Sequence, residues 1–329
     1  MKIKARITGL ASYLPKKVLS NFDLEKMVET SDEWITSRTG IKERRIAAED
    51  EFSSTMGTIA AKEALKKANL QAIDIDIVLV ATMTADYISP STAAIIQAAI
   101  GATKAAACDL QAACTGFIYA ISMAKAYVES GMYRNVLVVA SEKMSSFIDY
   151  KDRNTCVLFG DGAVAAVVTN EGSGLFIDYV SLGADGNLTE LLIIPAGGAK
   201  TPPSEETLSK GLHYLKMNGK ELFKHAVRRM AAASIEALDK TNISKDEIDW
   251  LVPHQANVRI IDAIRTQLGF PVEKIYKTLH KFGNTSGSSV GIALDCLIED
   301  KGLTDNQRVL LVAFGAGLTW GALILTKKV

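Results

Sequence analysis

The sequence predicts an α/β fold made of two pseudo-symmetric halves, on two observations. The first is alternation. Short, near-continuous apolar runs over Asp76 to Ala81, Val136 to Ala140 and Leu310 to Ala313 read as strands buried on both faces. Between such runs, apolar residues recur at helical spacing. The second is a hidden duplication. Glu63-Ala64-Leu65 matches Glu236-Ala237-Leu238, Ile75-Asp76 matches Ile248-Asp249, and Val136-Leu137 matches Val309-Leu310. The offset is 173 each time (236 − 63, 248 − 75, 309 − 136). The expected halves are residues 1–172 and 173–329, each a mostly parallel mixed sheet packed in layers with helices.

In chain order, residues 3–9 read as a first strand ended by the Leu14-Pro15 turn. Thr30-Ser31-Asp32-Glu33 is a helix-opening signal for a short helix carrying Trp34. Helices are expected over about Ser54 to Ala68 and over 92–100, with a strand from Ala163 to Val168. After Leu110-Gln111-Ala112-Ala113-Cys114-Thr115-Gly116, Phe117, Ile118, Ile121, Ala124 and Val128 keep helical spacing until Gly131 stops them. Further on, Trp250-Leu251-Val252 is a strand leading through Pro253-His254-Gln255-Ala256-Asn257 into a helix at Val258. Between the halves, the Gly- and Pro-rich stretch 195–204 is a long loop, either a binding lid or a passive excursion.

Bulk properties exclude several classes. Lysine plus arginine and aspartate plus glutamate each total 37, so a general nucleic-acid binder is not expected, although a local basic patch is. No run of about 18 uncharged apolar residues appears, so no membrane span is expected. The start, Met1 to Arg6, has no apolar core of a secretory signal. Cysteines stand at 108, 114, 156 and 296 with no Cys-x-x-Cys pair. That argues against zinc or a disulfide framework and for a reducing, cytoplasmic setting.

Three residues stand where chemistry is placed. Cys114 sits where a turn gives way to a helix, whose N–H groups and dipole favour a thiolate; read plainly, it is a small buried residue among alanines. His254 leaves the carboxyl end of a buried strand, where open α/β sheets bind ligands; otherwise it is a structural histidine. Asn284, in Phe282-Gly283-Asn284-Thr285-Ser286-Gly287, is either an amide donor or a left-handed turn residue. The Phe314-Gly315-Ala316-Gly317 turn presents backbone N–H groups, and too little chain follows it for a dinucleotide-binding unit. The offset carries Cys114 onto Gly287, so only one half would hold the nucleophile.

Taken together, Gln-Ala-Ala-Cys114-Thr-Gly-Phe, Val-Pro-His254-Gln-Ala-Asn and Phe-Gly-Asn284-Thr-Ser resemble the β-ketoacyl-acyl-carrier-protein synthase III family of the thiolase superfamily. Asp32-Glu33-Trp34-Ile35, Arg38-Thr39-Gly40-Ile41, Gly160-Asp161-Gly162-Ala163 and the Gly315 turn extend the resemblance over essentially the whole chain. It implies a thiolase-like fold of two fused α/β copies and an acyltransferase that starts type II fatty-acid synthesis. An acyl group, acetyl or larger, would pass from acyl-coenzyme A to Cys114. Condensation with malonyl-acyl-carrier protein would then give 3-oxoacyl-carrier protein and carbon dioxide. Neutral His254 and Asn284 would bind the thioester carbonyl, and the backbone N–H groups of Cys114 and Ala316 an oxyanion.

By the same resemblance Trp34, Arg38, Arg153 and Asn257 would bind coenzyme A, which is a substrate; no metal or redox cofactor is implied. Gln255, Ala256, Asn257, Val258, Arg259 and Lys224 would meet the carrier protein, with Arg228 and Arg265 completing a positive rim. A homodimer is implied as well. Phe314 and Ser89 would shape the acyl pocket. Many family members carry phenylalanine where Ser89 stands, so the pocket would be roomier, or capped by Tyr87 or Ile88 instead.

Overall fold

Strands with apolar side chains on both faces need cover on both sides, and the architecture follows from that requirement. The structure, a computed structural model, describes residues 3–328. Its main sheet is built from β1 (Arg6–Tyr13), β2 (Ile77–Ala81), β3 (Ala106–Leu110), β4 (Asn135–Glu142), β5 (Gly162–Thr169), β6 (Gly174–Ala184), β7 (Trp250–Pro253), β8 (Arg308–Gly315) and β9 (Thr319–Lys328). The nine strands run in the order β7-β8-β9-β6-β1-β5-β4-β2-β3. The principal helices are α1 (Asp32–Thr39), α2 (Ser53–Lys67), α3 (Thr92–Ile100), α4 (Gly116–Ser130), α5 (Gly219–Thr241), α6 (Val258–Leu268) and α7 (Ser289–Lys301).

Alternation along the strands sorts the side chains into layers. In β2 and β4, Val78, Val80, Leu137 and Val139 face α2 and α3 in one core. Their neighbours Leu79, Ala81, Val138 and Ala140 face the opposite way, toward α4 and α7. In β8 and β9, Leu310, Val312 and Ile324 pack on α5 and α6, while Val309, Leu311 and Leu323 return to the same central core as α4 and α7. The central helices therefore carry fully buried Phe117, Ile121, Val290 and Leu294. Each such side chain contributes roughly 1.5–3 kcal/mol by leaving water.

The 173-residue offset recurs in the elements themselves. Asn135–Glu142 answers to Arg308–Gly315, and the one-turn helix Ala113–Thr115 answers to Ser286–Ser288. Even a strained backbone is repeated: Ala113 has φ 44° and its counterpart Ser286 has φ 51°.

The sheet differs from expectation in balance. It is a single mixed sheet in which only β2–β3, β2–β4 and β7–β8 are parallel. Antiparallel pairs are the majority, because β4 returns to β5, and β8 to β9, without a helix crossing the sheet. The first strand is also shifted: Arg6 to Tyr13, not 3–9, pairs along β5. Gly9 disguises it, and is needed there because a Cβ would collide with the Ala64 carbonyl of α2.

Candidate active site

Cys114 lies in the one-turn helix Ala113–Thr115 that leads into α4, and α4 ends at Gly131, which takes the left-handed conformation (φ 76°) of a C-cap. Cys114 is buried, and its Sγ lies 3.7 Å from Ser286 Oγ, in the matching turn before α7. Asn284 sits just ahead of that turn. Its side-chain Oδ1 accepts the Ser286 N–H at 2.9 Å, which leaves the amide NH2 as the donor for a ligand. Its backbone is clamped by the Gly160-Asp161-Gly162 turn, with Gly160 N–H donating to the Asn284 carbonyl at 3.0 Å. Asp161 holds that turn by accepting from the Ala47 N–H and the Ser145 hydroxyl.

His254 continues β7 and is buried, its N–H bonded to the Val312 carbonyl at 2.7 Å. Its Nδ1 is 2.6 Å from Ser289 Oγ, which also accepts the Gln255 N–H at 3.5 Å. We assign the Ser289 proton to Nδ1, so that Nε2 carries the ring N–H. Burial pushes His254 down to about 4, so the ring is neutral.

A helix start lowers the pKa of a thiol, and burial acts on Cys114 in the opposite direction. Burial pushes the Cys114 thiol up to about 12, and the Ser286 hydrogen bond offsets this only in part. Beside the sulfur, Gly315 packs so tightly that a Cβ there would lie 2.7 Å from the Cys114 nitrogen. Thr319 Oγ1 ties this turn to the nucleophile loop, bonding the Ala316 and Ala112 carbonyls at 3.0 and 3.1 Å.

One cavity of about 1130 Å³ joins these groups: Cys114, His254, Asn284, Phe314 and Ala316 line it. At its exposed mouth stand Trp34, Arg38, Arg153, Lys224 and Arg259. The Arg38 and Arg153 guanidinium carbons lie 5.5 and 4.8 Å from the Trp34 ring centroid, an aromatic face flanked by two cations. A thiol, two neutral donors and a basic entrance suit attack on a thioester whose carrier is anionic.

Comparison with known proteins gives the family. Family models described as 3-oxoacyl-[acyl-carrier-protein (ACP)] synthase III and its C-terminal region match residues 108–186 and 238–327. The β-ketoacyl-[acyl-carrier-protein] synthase III of Chlamydia muridarum is 55% identical over 324 residues, 98% of this chain and 99% of the relative. The chain belongs to the 3-oxoacyl-[acyl-carrier-protein] synthase III family. The enzyme of the same description from Caldanaerobacter subterraneus subsp. tengcongensis is 53% identical over 98% of both chains. The crystal structure of 3-oxoacyl-[acyl-carrier-protein] synthase III from Aquifex aeolicus VF5 superposes with a TM-score of 0.90 at 46% identity, covering 98% of this chain and 99% of that one.

Not every residue carried over from the synthase III pattern reaches the cavity. Gln255 is buried with its amide spent on backbone: Oε1 accepts from Thr278 and Leu279, and Nε2 donates to the Pro253 carbonyl. It holds the His254 loop and has no surface for a carrier protein. Val258 packs on the α1 C-cap at Gly40. Asn257 lines the cavity, but its Oδ1 caps α6 at the Arg259 N–H. Arg265 is turned back to the Phe270 carbonyl and Thr266. Arg228 is exposed but outside the lining. Ser89 is exposed and also absent from the lining, because Asp86 is anchored to the start of α2 at Ser54 and the loop after it projects outward.

Other lining groups went unread. Met83, Met217 and Met230 supply flexible apolar wall, and Lys220 adds to the basic mouth. Loop 195–204 does not line the cavity, whereas Leu192 before it and Leu215 beyond the short helix after it do. Ser286, Ser289 and Glu142 were missed too. A charged residue at the carboxyl end of β4, two positions after its apolar run, was the available signal for Glu142. Among the described residues no cluster of three or more His, Cys, Asp or Glu could hold a metal ion, and no helix is long and apolar enough to cross a membrane.

Proposed function

We propose that this synthase III family member catalyses the initiating condensation of type II fatty-acid biosynthesis, with Cys114 as nucleophile and His254 and Asn284 as carbonyl donors. The observation that carries this reading is the convergence of a thiol, a neutral imidazole and a free amide NH2 on one cavity with a basic mouth. Cys114 takes the acyl group from acyl-coenzyme A. The malonyl thioester of the carrier protein then enters the emptied cavity. As it loses carbon dioxide, His254 Nε2 and the Asn284 amide donate to its carbonyl, a contribution of about 3–4 kcal/mol each for preorganised donors. The enolate attacks acyl-Cys114, and the oxyanion faces the N–H groups of Cys114 and Ala316. This chemistry asks for neither a metal nor a redox cofactor.

Trp34, Arg38, Arg153 and Asn257 are proposed to hold the coenzyme A nucleotide. Ala256, Arg259, Lys220 and Lys224 are proposed to receive the acidic carrier protein. Residues 1–172 and 173–329 are proposed as the two thiolase-like halves. The dimer reading has support of its own: β3 is an unpaired sheet edge, and beside it Tyr87 and Ile88 are 62% and 94% exposed. Pairing there would carry the loop containing Ser89 toward a second copy, where it could bear on acyl length. A cytoplasmic setting fits the four free cysteines.

The test is intact-protein mass spectrometry after exposure to a panel of acyl-coenzyme A thioesters, followed by malonyl-carrier protein. One acyl mass should appear and then disappear with release of carbon dioxide. Undiminished labelling of Cys114→Ser would refute the assignment of the nucleophile. Competition among primers gives acyl length.

A further inference from the structure

Glu142, at the carboxyl end of β4, is fully buried, and the chemistry above makes no use of it. Its carboxylate accepts from Thr84 Oγ1 at 2.7 Å, Thr82 Oγ1 at 3.3 Å, the Met83 N–H at 3.2 Å and Ser286 Oγ at 3.2 Å. The Gly287 N–H adds a further bond. Ser286 Oγ is the same atom that lies 3.7 Å from Cys114 Sγ. An unbroken line of polar atoms thus runs from the sulfur through one hydroxyl to one carboxylate. Position 287 must be glycine for this line to close, since a Cβ there would lie 3.1 Å from Glu142 Oε1 and 2.8 Å from the Ala113 carbonyl.

Next to Glu142 in the sequence stands one charged residue. Lys143, its neighbour, turns away to the Ala48 and Glu51 carbonyls. Burial and hydrogen bonds set the state of the carboxyl, and Cys114 is a titratable group that it influences. A carboxylate buried without a cation is costly, and both oxygens are in use: Oε2 accepts from Thr82, Met83 and Thr84, and Oε1 from Ser286. We propose that Glu142, acting through the Ser286 hydroxyl, accepts the Cys114 proton during acyl transfer, an inference that rests on Cys114 being the acylated nucleophile.

The protons balance. As Sγ attacks the thioester carbonyl, its proton passes to Ser286 Oγ, whose own proton passes to Glu142. The adduct collapses with cleavage of the bond to coenzyme A, whose thiolate leaves and takes a proton from solvent. Condensation later expels Cys114 as a thiolate, and Glu142 returns the stored proton along the same line. One proton is consumed per cycle, as decarboxylation of a malonyl carboxylate requires. Burial pushes Glu142 up to about 7, a suitable value for a base at neutral pH. Cys114 remains a thiol until attack, so the proton moves with formation of the S–C bond.

The experiment compares the full-length protein with Glu142→Gln and Ser286→Ala. It follows single-turnover acetylation of Cys114 from acetyl-coenzyme A across pH 5.5–9, alongside decarboxylation of malonyl-carrier protein. In the parent, acetylation should rise through about pH 7. Both variants should lose that rise and acetylate about 100-fold more slowly at pH 7.5, the usual scale of general-base catalysis, with decarboxylation unchanged. Glu142→Asp should recover part of the rate. Parental acetylation in either variant overturns the proposal, and so does equal loss of acetylation and decarboxylation in both. Should Glu142→Gln fail to fold, Ser286→Ala decides alone. If the parent takes no acyl group from any of a panel of acyl-coenzyme A thioesters, the reading of Cys114 fails instead. Iodoacetamide alkylation of Cys114 then tests the relay by itself, and equal alkylation rates in all three proteins overturn it.

Discussion

Replacing Gly315 by alanine tests the geometry around the nucleophile directly. A Cβ at 315 would lie 2.7 Å from the Cys114 nitrogen, 3.1 Å from its Cβ and 3.2 Å from its Cα. None of these atoms is the end of a flexible side chain. They belong to a buried turn whose preceding residue, Ala113, already holds φ 44°. The turn must therefore shift by several tenths of an ångström, or the methyl group must cover the Cys114 N–H. Overpacking of this kind costs roughly 1–3 kcal/mol of stability, which for a chain of this length lowers the melting midpoint by a few degrees. Loss of one oxyanion donor costs about 2.7–4 kcal/mol, or 10²–10³ in rate. Chemistry should thus suffer far more than stability. Single-turnover acetylation followed by intact mass, beside thermal unfolding, separates the two. The expected result is acetylation slowed by about 100-fold or more with the fold retained. Gly198→Ala serves as control, because a Cβ there meets nothing within 4 Å. Gly315→Ala acetylating at the parental rate would mean that the Cys114 N–H faces no developing charge.

Three further perturbations read other parts of the site and fold. Ser289→Ala removes the 2.6 Å partner of His254 Nδ1; stopped-flow release of carbon dioxide should slow about tenfold, the worth of one hydrogen bond, while Cys114 acetylation is spared. Arg44 is fully buried, binds the Leu19 and Val157 carbonyls and Asn21 Oδ1, and is pushed down to about 10 by burial. Arg44→Met strands three acceptors and should lower stability by about 3 kcal/mol or more, measured by urea unfolding. Glu142 is raised from 4.5 to about 7 by burial, so the folded chain binds its proton more tightly than the unfolded chain. Its contribution to stability is full below 4.5 and is lost as pH rises through about 7. His254, lowered from 6.5 to about 4, works in the opposite sense, and its contribution grows from pH 4 to 6.5. The midpoint of Glu142→Gln relative to the parent should therefore rise between pH 5 and pH 8, and a flat difference would contradict the buried-acid reading.

What could be read in advance divides along a physical line. Buried strands and the helices that cover them were legible because burial on both faces forces a continuous apolar run, and runs of that kind survive duplication at one offset. Cys114, His254 and Asn284 were legible for a related reason: each interrupts such a run at a place where the chain turns, so its polarity stands out locally. The edge strand Ala106–Leu110 escaped because alanine, cysteine and aspartate have little strand preference, and pairing on one side alone creates it. Gln255 was misread because a buried amide and a surface amide look alike until the Thr278 and Leu279 N–H groups that hold it are in place. Electrostatics was the least legible of all. The thiol's proximity to a helix start is a local fact and points downward, whereas its burial involves Ser286 and Gly315, 172 and 201 residues further along the chain (286 − 114, 315 − 114). A thiol buried in this way needs a route for its proton as it attacks, and the Ser286 and Glu142 side chains offer one.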